Sequence, residues 1–257
     1  MNTPVHLPEP RAWLVKWFCR YAQNRLRRDF HQMRLFGPPP PALPGPLVAY
    51  ANHVSWWDPL VALAILPLFF PKRRAFAPMD AEMLNRYGIF KWMGFFGVNR
   101  SSPRGVFEFL ERAESVLHRP ESLLYLTPQG RFADVRQRPP GFQGGIGFLA
   151  ERVPGAVFLP IAAEYVFWEE SKPEILLHFG KPQKFAGQID RHEANQVLEQ
   201  ALASAQSELG TAAIERNADR FDTLLRGRHG VGGIYDVARR LRSWAAGEPF
   251  SAKHGKV

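Results

Sequence analysis

Short apolar runs alternate with longer helix-like stretches through the middle of this chain. The helix-like stretches occupy residues 59–68, 81–92, 104–118 and 144–152. The apolar runs have the length and composition of buried strands and occupy residues 47–51, 74–78, 96–99, 122–127, 156–165 and 174–179. Alternation at this spacing predicts an α/β fold with a mixed, largely parallel sheet flanked by helices.

The N-terminal stretch, residues 10–36, predicts one amphipathic helix or two short ones. Its apolar side chains form two stripes, the second rotated from the first: Trp13, Leu14, Trp17, Phe18 and Tyr21, then Leu26, Phe30 and Met33. Basic residues are dense between them. Aromatic side chains and cations on one helix are typical of an interfacial membrane anchor. The pattern fits equally a helix that packs on the domain and exposes a basic face, and both interpretations stay open.

Two further segments frame the α/β core. A proline-rich stretch follows the first helix and predicts a stiff, extended connector. After residue 190 the pattern turns helical, over 193–209, 212–226 and 235–246, and ends in a basic tail. We therefore predict four parts: an N-terminal amphipathic basic helix (1–36), a connector (37–46), an α/β core (47–187) and a helical C-terminal extension with its tail (188–257).

Composition narrows the classes of partner. Hydrophobic residues make up 46% of the 257 residues, which supports a sizeable core. The net charge of +9 favours acidic partners such as phospholipid head groups, nucleic acid or phosphorylated cofactors. The single cysteine, Cys19, excludes an intrachain disulfide and a cysteine-based zinc site. The longest apolar run, 60–70, is far shorter than the roughly 20 residues that span a bilayer, so we expect no transmembrane helix.

A histidine and a carboxylate stand close together directly after the apolar run that ends at residue 51. His53 and Asp58 can meet only if the chain between them turns. Pro59 suits the first position of a helix and favours an extended Asp58, as expected of a helix N-cap. In the predicted geometry of strand, tight loop and helix, the carboxylate holds one ring nitrogen and leaves the other to take a proton. The alternative is an ordinary loop histidine beside a helix cap.

Two arginines follow later strands in the same way. Arg100 comes directly after the apolar run at 96–99, and Arg131 ends the segment Leu-Thr-Pro-Gln-Gly-Arg at 126–131. An arginine between a strand end and the next helix is well placed to bind a phosphate group.

In order and content these clusters resemble the motifs of the glycerolipid acyltransferase family, which includes the 1-acylglycerol-3-phosphate acyltransferases. The His-x4-Asp motif of that family, in its Asn-His-x-Ser-x-x-Asp context, is matched by Asn52, His53, Ser55 and Asp58. The second motif of the family ends in an arginine after a hydrophobic strand, and Arg100 matches it.

The remaining motifs of the family match in part. Its Phe-Pro-Glu-Gly-Thr-Arg motif is matched by Pro128, Gly130 and Arg131. Its Phe-x-x-Gly motif is matched by Phe142 and Gly145, and its Val-Pro-Val strand by the sequence Leu-Pro-Ile at 159–161. The resemblance covers about residues 47 to 180.

The resemblance implies a glycerol-3-phosphate acyltransferase-like fold and an O-acyltransferase activity. An acyl group would pass directly from acyl-CoA or acyl-acyl carrier protein to a hydroxyl of a lysophosphatidate, a lysophospholipid or a related lipid. His53 would act as general base, Asp58 would orient it, and Arg100 and Arg131 would bind the acceptor phosphate unless they serve as structural salt bridges. The other residues expected to bind substrate are Asn52, Ser55, Gln129 and Gly130.

The same resemblance sets the expected partners. The thioester is a co-substrate, and we expect no bound cofactor and no metal. Membrane phospholipids are the expected partners, which places the protein peripherally, as a monotopic protein, on the cytoplasmic side of a membrane. We expect no nucleic acid partner, because the basic residues concentrate on an aromatic helix.

Gln129 is a departure from the family pattern, which has Glu at this position. No Thr separates Gly130 from Arg131 either. Glutamine carries no charge and donates as well as accepts hydrogen bonds, so we expect a different acceptor pocket. A non-catalytic lipid-binding module of the same fold is therefore the main alternative. A nucleic-acid binder rests on net charge alone, and a metal hydrolase would need further ligands at metal-site spacing.

Overall fold

The computed structural model describes residue 7 and residues 9–99, 102–119, 121–185 and 187–227. Over these ranges the chain alternates between strands and helices, as predicted. The helices are α1 (Ala12–Asp29), α2 (Asp58–Phe69), α3 (Ala81–Arg86), α4 (Pro103–Leu117), α5 (Gly145–Arg152) and α6 (Arg191–Glu215), with short 3-10 helices at Gly88–Met93 and Ala218–Arg220. The strands are β1 (Gln32–Phe36), β2 (Leu47–Ala51), β3 (Arg74–Asp80), β4 (Phe95–Val98), β5 (Ser122–Leu126), β6 (Val157–Val166), β7 (Glu174–Phe179), β8 (Gln183–Lys184) and β9 (Phe221–Arg226).

The strands of the described ranges form one nine-stranded sheet in the order β4-β3-β5-β2-β6-β7-β1-β9, with β8 pairing with β6. Strand β2 is parallel to β5 and to β6, β3 is parallel to β4 and β5, and β1 is parallel to β7. Antiparallel pairs join β6 to β7 and β8, and β1 to β9. The predicted mixed, largely parallel sheet is therefore confirmed.

Strand β2 shows how the core divides into two layers. Successive side chains of a strand point to opposite faces of the sheet. Leu47 and Ala49 join an apolar cluster that includes residues of α1 and α2. Val48 and Tyr50 join another, which includes residues of α4, α5 and α6. Helices thus cover both faces of the central strands, as parallel strands require.

The carboxyl ends of β2 and β5 place two predicted motifs side by side. Tyr50 lies opposite Leu126 in the parallel register of these strands, so residues 52–58 and 127–131 leave the sheet at the same edge. On the other side of β2, Ala51 lies opposite Ile161, and β6 continues past this point to Val166. The crevice outside the carboxyl ends of parallel strands is where α/β folds bind ligands.

Two segments predicted as helical are strands, and both predictions are wrong. The first helix ends at Asp29, and Gln32–Phe36 forms β1 between β7 and β9. Residues 221–226, predicted as the end of the helix over 212–226, form β9. The first residues of that predicted helix instead continue the helix predicted over 193–209, so that both belong to α6. Both segments are only five or six residues long, and the two buried side chains of β9, Phe221 and Leu225, have a spacing that also fits a helix. Pairing with neighbouring strands therefore decides the outcome. The helix predicted over 235–246 lies outside the described residues.

These strands also extend the sheet beyond the predicted core of residues 47–187. Strand β1 precedes that range and β9 follows it, yet both belong to the same sheet as β2. Among the residues described, no helix combines the length and the apolar character needed to cross a bilayer.

Candidate active site

A tight loop carries His53 from the end of β2 to the start of α2, as predicted. Helix α2 begins at Asp58, and Pro59 occupies its first turn. The N-cap is Trp57 in helical geometry, without a side-chain cap, so the prediction that Asp58 is the N-cap is wrong. The physical reason is that the carboxylate of Asp58 points back to the loop, where other donors use it.

Four donors surround the carboxylate of Asp58. Its Oδ2 accepts from the backbone N–H of Val54 at 2.9 Å and of Ser55 at 3.0 Å, and it lies 2.7 Å from His53 Nδ1. Its Oδ1 accepts from the Tyr165 hydroxyl at 2.7 Å. Since the side chain of Asp58 is only 4% exposed, these bonds replace the water that a buried carboxylate has lost.

The pairing with Asp58 fixes the tautomer of His53. A carboxylate only accepts, so Nδ1 carries the ring proton and the neutral imidazole has its lone pair on Nε2. The side chain of His53 is 22% exposed and lines a pocket. An oriented, accessible imidazole of this kind is suited to removing a proton from a hydroxyl group.

The pocket beside His53 has a volume of about 180 Å³ and is mainly apolar. It lies between α2 and the sheet, and its walls include Ala62, Leu66, Phe95 and Ile161. Among the aromatic residues close in sequence to His53 and to strand β4, Phe95 lines this pocket, whereas Trp56 and Trp92 are exposed at the surface. His53 and Asp58 are both part of the pocket lining, and an apolar pocket of this kind suits a hydrophobic chain.

Gln129 connects the His53 loop to the loop that follows β5. Its Oε1 accepts from the backbone N–H of His53 at 2.7 Å, and its Nε2 donates to the carbonyl of Pro140 at 2.9 Å. The carbonyl of His53 in turn accepts from the backbone N–H of Ala133 at 2.8 Å. Gln129 is 2% exposed, so the amide that we expected to bind substrate is instead used at both ends within the protein.

The same loop carries Gly130 and Arg131. Gly130 has a φ of 64°, which glycine adopts without steric cost. Arg131 is exposed, and among the described residues its guanidinium donates to the carbonyl of Phe132 at 3.5 Å and to Gln137 Oε1 at 3.3 Å. Within the described residues Arg131 forms no salt bridge. The ring centroids of Phe132 and His53 are 4.4 Å apart, so this part of the loop lies beside the imidazole.

Of the other residues expected to bind substrate, Asn52 and Ser55 form hydrogen bonds within the protein. Asn52 is fully buried, and its amide exchanges two hydrogen bonds with the backbone of Ala163, at 2.9 and 2.8 Å. Ser55 Oγ accepts from the backbone N–H of Trp57 at 3.2 Å and so supports the turn before α2. Arg100 lies outside the described residues.

Two tyrosines near Asp58 were not predicted. Tyr165 on β6 donates to Asp58, and Tyr125 on β5 lines the pocket. Burial raises the pKa of both hydroxyls, and the charge of Asp58 raises each pKa further, so both stay protonated. No sequence signal marks Tyr165, because it sits among the apolar residues of a strand, far from Asp58 along the chain.

One family matches the chain across this site. The model of the family described as Acyltransferase matches residues 28–164, more than half of the chain. The chain belongs to the acyltransferase family. The matched range includes both His53 and Gln129 and ends directly before Tyr165. The predicted resemblance and the predicted class of enzyme, an acyltransferase, are confirmed at this level.

A solved structure with some similarity to this acyltransferase-family protein is the 1-acyl-sn-glycerophosphate (LPA) acyltransferase PlsC from Thermotoga maritima. The two are 14% identical, with a TM-score of 0.48 over 74% of this chain and 79% of that chain. A comparison with curated proteins found no match. In the described ranges no group of three or more His, Cys, Asp or Glu side chains is arranged to hold a metal ion.

Proposed function

We propose that this protein transfers a fatty acyl group from a thioester to a hydroxyl group of a lipid, with His53 as general base. The observation that carries this proposal is the position of the His53–Asp58 pair beside an apolar pocket. The family supports acyl transfer, and the pocket supports an acyl chain as the group that is moved.

The proposed reaction is a direct displacement. His53 Nε2 takes the proton from the acceptor hydroxyl as its oxygen attacks the thioester carbonyl carbon. The tetrahedral intermediate then collapses, the C–S bond breaks, and the imidazolium returns its proton to the leaving thiolate. The products are an ester and a free thiol. Asp58 holds the ring orientation and stabilises the imidazolium that forms between the two proton transfers.

The apolar pocket is the proposed site of the acyl chain. Its walls from α2 and the sheet are mostly hydrocarbon, and burial of each methylene contributes about 0.8 kcal/mol. The carboxyl end of the chain would then lie at His53. Donors that carry long chains should therefore bind more tightly than an acetyl donor.

Arg131 is the proposed contact for an anionic group of the acceptor. It is exposed, lies one residue from Phe132 and makes no salt bridge in the described ranges, so its charge is open to a ligand. A phosphate on the acceptor lipid would gain charge-assisted hydrogen bonds from this guanidinium. Arg131→Ala should accordingly raise the KM for a phosphorylated acceptor more than it lowers kcat.

Helix α1 is the proposed contact with the membrane. It packs along α2 through its buried side, which includes Leu14, Ala22 and Leu26. Trp13 and Trp17 are more than half exposed on its other side, with exposed basic residues next to them. Indole rings next to cations favour the interface of an anionic bilayer.

The test is acyl transfer by the purified protein with labelled acyl-CoA and acyl-acyl carrier protein. The acceptors are lysophosphatidate, lysophospholipids, glycolipids and hydroxylated amide lipids. We expect labelling of at least one acceptor, and a loss of about 10² to 10⁴ in kcat for His53→Ala. Substantial activity in His53→Ala would contradict the role of His53. Binding of vesicles without labelling of any acceptor would favour the non-catalytic lipid-binding module.

The membrane contact has a separate test. The double variant Trp13→Glu/Trp17→Glu should bind more weakly than the wild type to vesicles that contain phosphatidylserine. High salt should weaken binding of the wild type too, because salt screens the attraction between its basic residues and the anionic lipid. Substitution is preferable to deletion of residues 1–36, because that deletion also removes strand β1 from the sheet. Unchanged binding by the double variant would argue against α1 as the contact.

A further inference from the structure

The amide of Gln129 meets two backbone groups of opposite kind. On one side the N–H of His53 can only donate, and on the other the carbonyl of Pro140 can only accept. The orientation of the amide is therefore fixed, with Oε1 toward His53 and Nε2 toward Pro140. With 2% of Gln129 exposed, solvent does not replace either bond.

Two hydrogen bonds hold the backbone of His53. The backbone of His53 is held on its N–H side by Gln129 and on its carbonyl side by the N–H of Ala133. Both holding groups belong to the loop that also carries Arg131. The loop thus fixes the peptide that carries the imidazole, while Asp58 fixes the ring.

We propose that Gln129 is a positioning residue for His53, and that this site needs an uncharged side chain that accepts and donates at once. The inference rests on the proposed function, since the position of His53 matters for turnover only if His53 takes the proton. The glutamate of the family pattern would not meet the same need here, because an ionised carboxylate has no donor for the carbonyl of Pro140.

A protonated carboxyl group could accept from His53 and donate to Pro140 at the same time. In Gln129→Glu, the O–H of a neutral side chain could donate to Pro140 while the other oxygen accepts from His53. The N–H of His53 favours the charged form, but burial and the facing carbonyl disfavour it more, so we expect the pKa of the introduced carboxyl to lie above its usual value. The charged or titratable side chains of this region include His53, Asp58, Arg131 and Glu199, together with Asp134, Arg136 and Arg138 on the same loop as Gln129, and all of them are also present in the wild type.

The experiment measures kcat and KM from about pH 6 to pH 9 for the wild type, Gln129→Glu and Gln129→Met. The ratio of variant to wild type at each pH removes the pH dependence that the two proteins share. For Gln129→Glu we expect a ratio near one at the acid end and a kcat deficit that grows to about tenfold or more as pH rises. For Gln129→Met, which loses both bonds without adding charge, we expect a similar deficit at every pH. KM should change little in either variant.

Gln137→Met is the matched control. Gln137 donates to the same carbonyl of Pro140 at 3.2 Å and accepts from Arg131, and none of the hydrogen bonds described for it joins it to His53. Its kcat should stay within about threefold of the wild type, because the peptide of the base keeps both of its bonds, while its KM can rise through Arg131.

The outcomes separate this inference from the proposed function. Wild-type kcat in Gln129→Met, or a change confined to KM, overturns the positioning role, as does a Gln129→Glu ratio that does not fall with pH. If Gln129→Glu fails to fold, the kcat of Gln129→Met decides alone. Full activity of His53→Ala in the same assay defeats the proposed function instead.

Discussion

Two histidine–carboxylate pairs in this protein, each with a buried carboxylate, differ in what lies beside them. His53 Nδ1 is 2.7 Å from Asp58 Oδ2, and His31 Nδ1 is 3.0 Å from Glu174 Oε1. Both carboxylates have side chains only 4% exposed, but the histidine side chains are 22% and 8% exposed. His53 lines the apolar pocket, whereas the pocket does not reach His31.

The partners of the two carboxylates differ as well. Asp58 accepts hydrogen bonds from the loop, the tyrosine and the imidazole, and among the described residues no arginine pairs with it. Glu174 also pairs with Arg34, which is buried on strand β1. A pair that already includes a fixed cation is suited to joining β1 to β7. The described part of the His53–Asp58 pair includes no fixed cation, so the imidazolium that forms on His53 during the proposed reaction is the charge that Asp58 stabilises.

The largest effect should come from Asp58→Asn. The amide has only one acceptor oxygen for the donors that now surround the carboxylate, and it cannot stabilise an imidazolium by charge. We expect kcat to fall by about 10² to 10⁴, measured in steady-state acyl transfer. Glu174→Gln is the matched change in the other pair and should leave kcat within about twofold. A comparable loss of kcat in both variants would show that the two pairs do not differ in function.

Filling the pocket should have the next largest effect. Ala62→Phe adds a ring to the wall on α2, so long-chain donors should lose about tenfold or more in kcat/KM while an acetyl donor loses less. Leu68→Phe, on the exposed side of the same helix, is the control and should behave as the wild type. Equal losses for long and short donors would place the acyl chain elsewhere.

Tyr165→Phe should have a smaller effect. It removes one of the donors to Asp58 and leaves Oδ1 without that partner, so we expect a loss of about tenfold in kcat. Tyr50→Phe is a matched control, since Tyr50 donates its buried hydroxyl to the carbonyl of Leu198. If both tyrosine variants lose kcat equally, the loss comes from general destabilisation and not from Asp58.

The smallest effect on activity should come from Glu174→Gln, which should change stability instead. Burial raises the pKa of Glu174, but the hydrogen bonds from His31 and Arg34 outweigh burial and hold the pKa below its usual value. Its stabilisation is therefore present above the pKa of the unfolded chain and is lost as pH falls through the lower folded pKa.

Urea unfolding of the wild type and Glu174→Gln measures this contribution. Near neutral pH the variant should lose about 3 kcal/mol of unfolding free energy, because a charge stays buried on Arg34 without its partner. The difference between the two proteins should shrink as the solution is made acid. A difference that stays constant with pH would mean that ionised Glu174 does not contribute through this pair.

The central fold and the His53–Asp58 pair were predictable from the sequence because both are local. The alternation of strands and helices shows in the hydrophobic pattern, and Pro59 marks the turn that lets His53 meet Asp58. Strand β1 was not predictable, because Arg34 looks like one more basic residue of a helix until Glu174 supplies its partner from a distant strand. Tyr165 and the backbone partners of Gln129 were missed for the same reason, since only the sheet brings them to the site.

The most direct test compares His53→Asn with His31→Asn in single-turnover acyl transfer. An asparagine amide lies near the position of Nδ1, so each variant can keep a donor to its carboxylate while it loses the basic Nε2. We predict a loss of about 10² or more in the rate for His53→Asn and an unchanged rate for His31→Asn. An unchanged rate in His53→Asn would contradict the assignment of His53 as the general base.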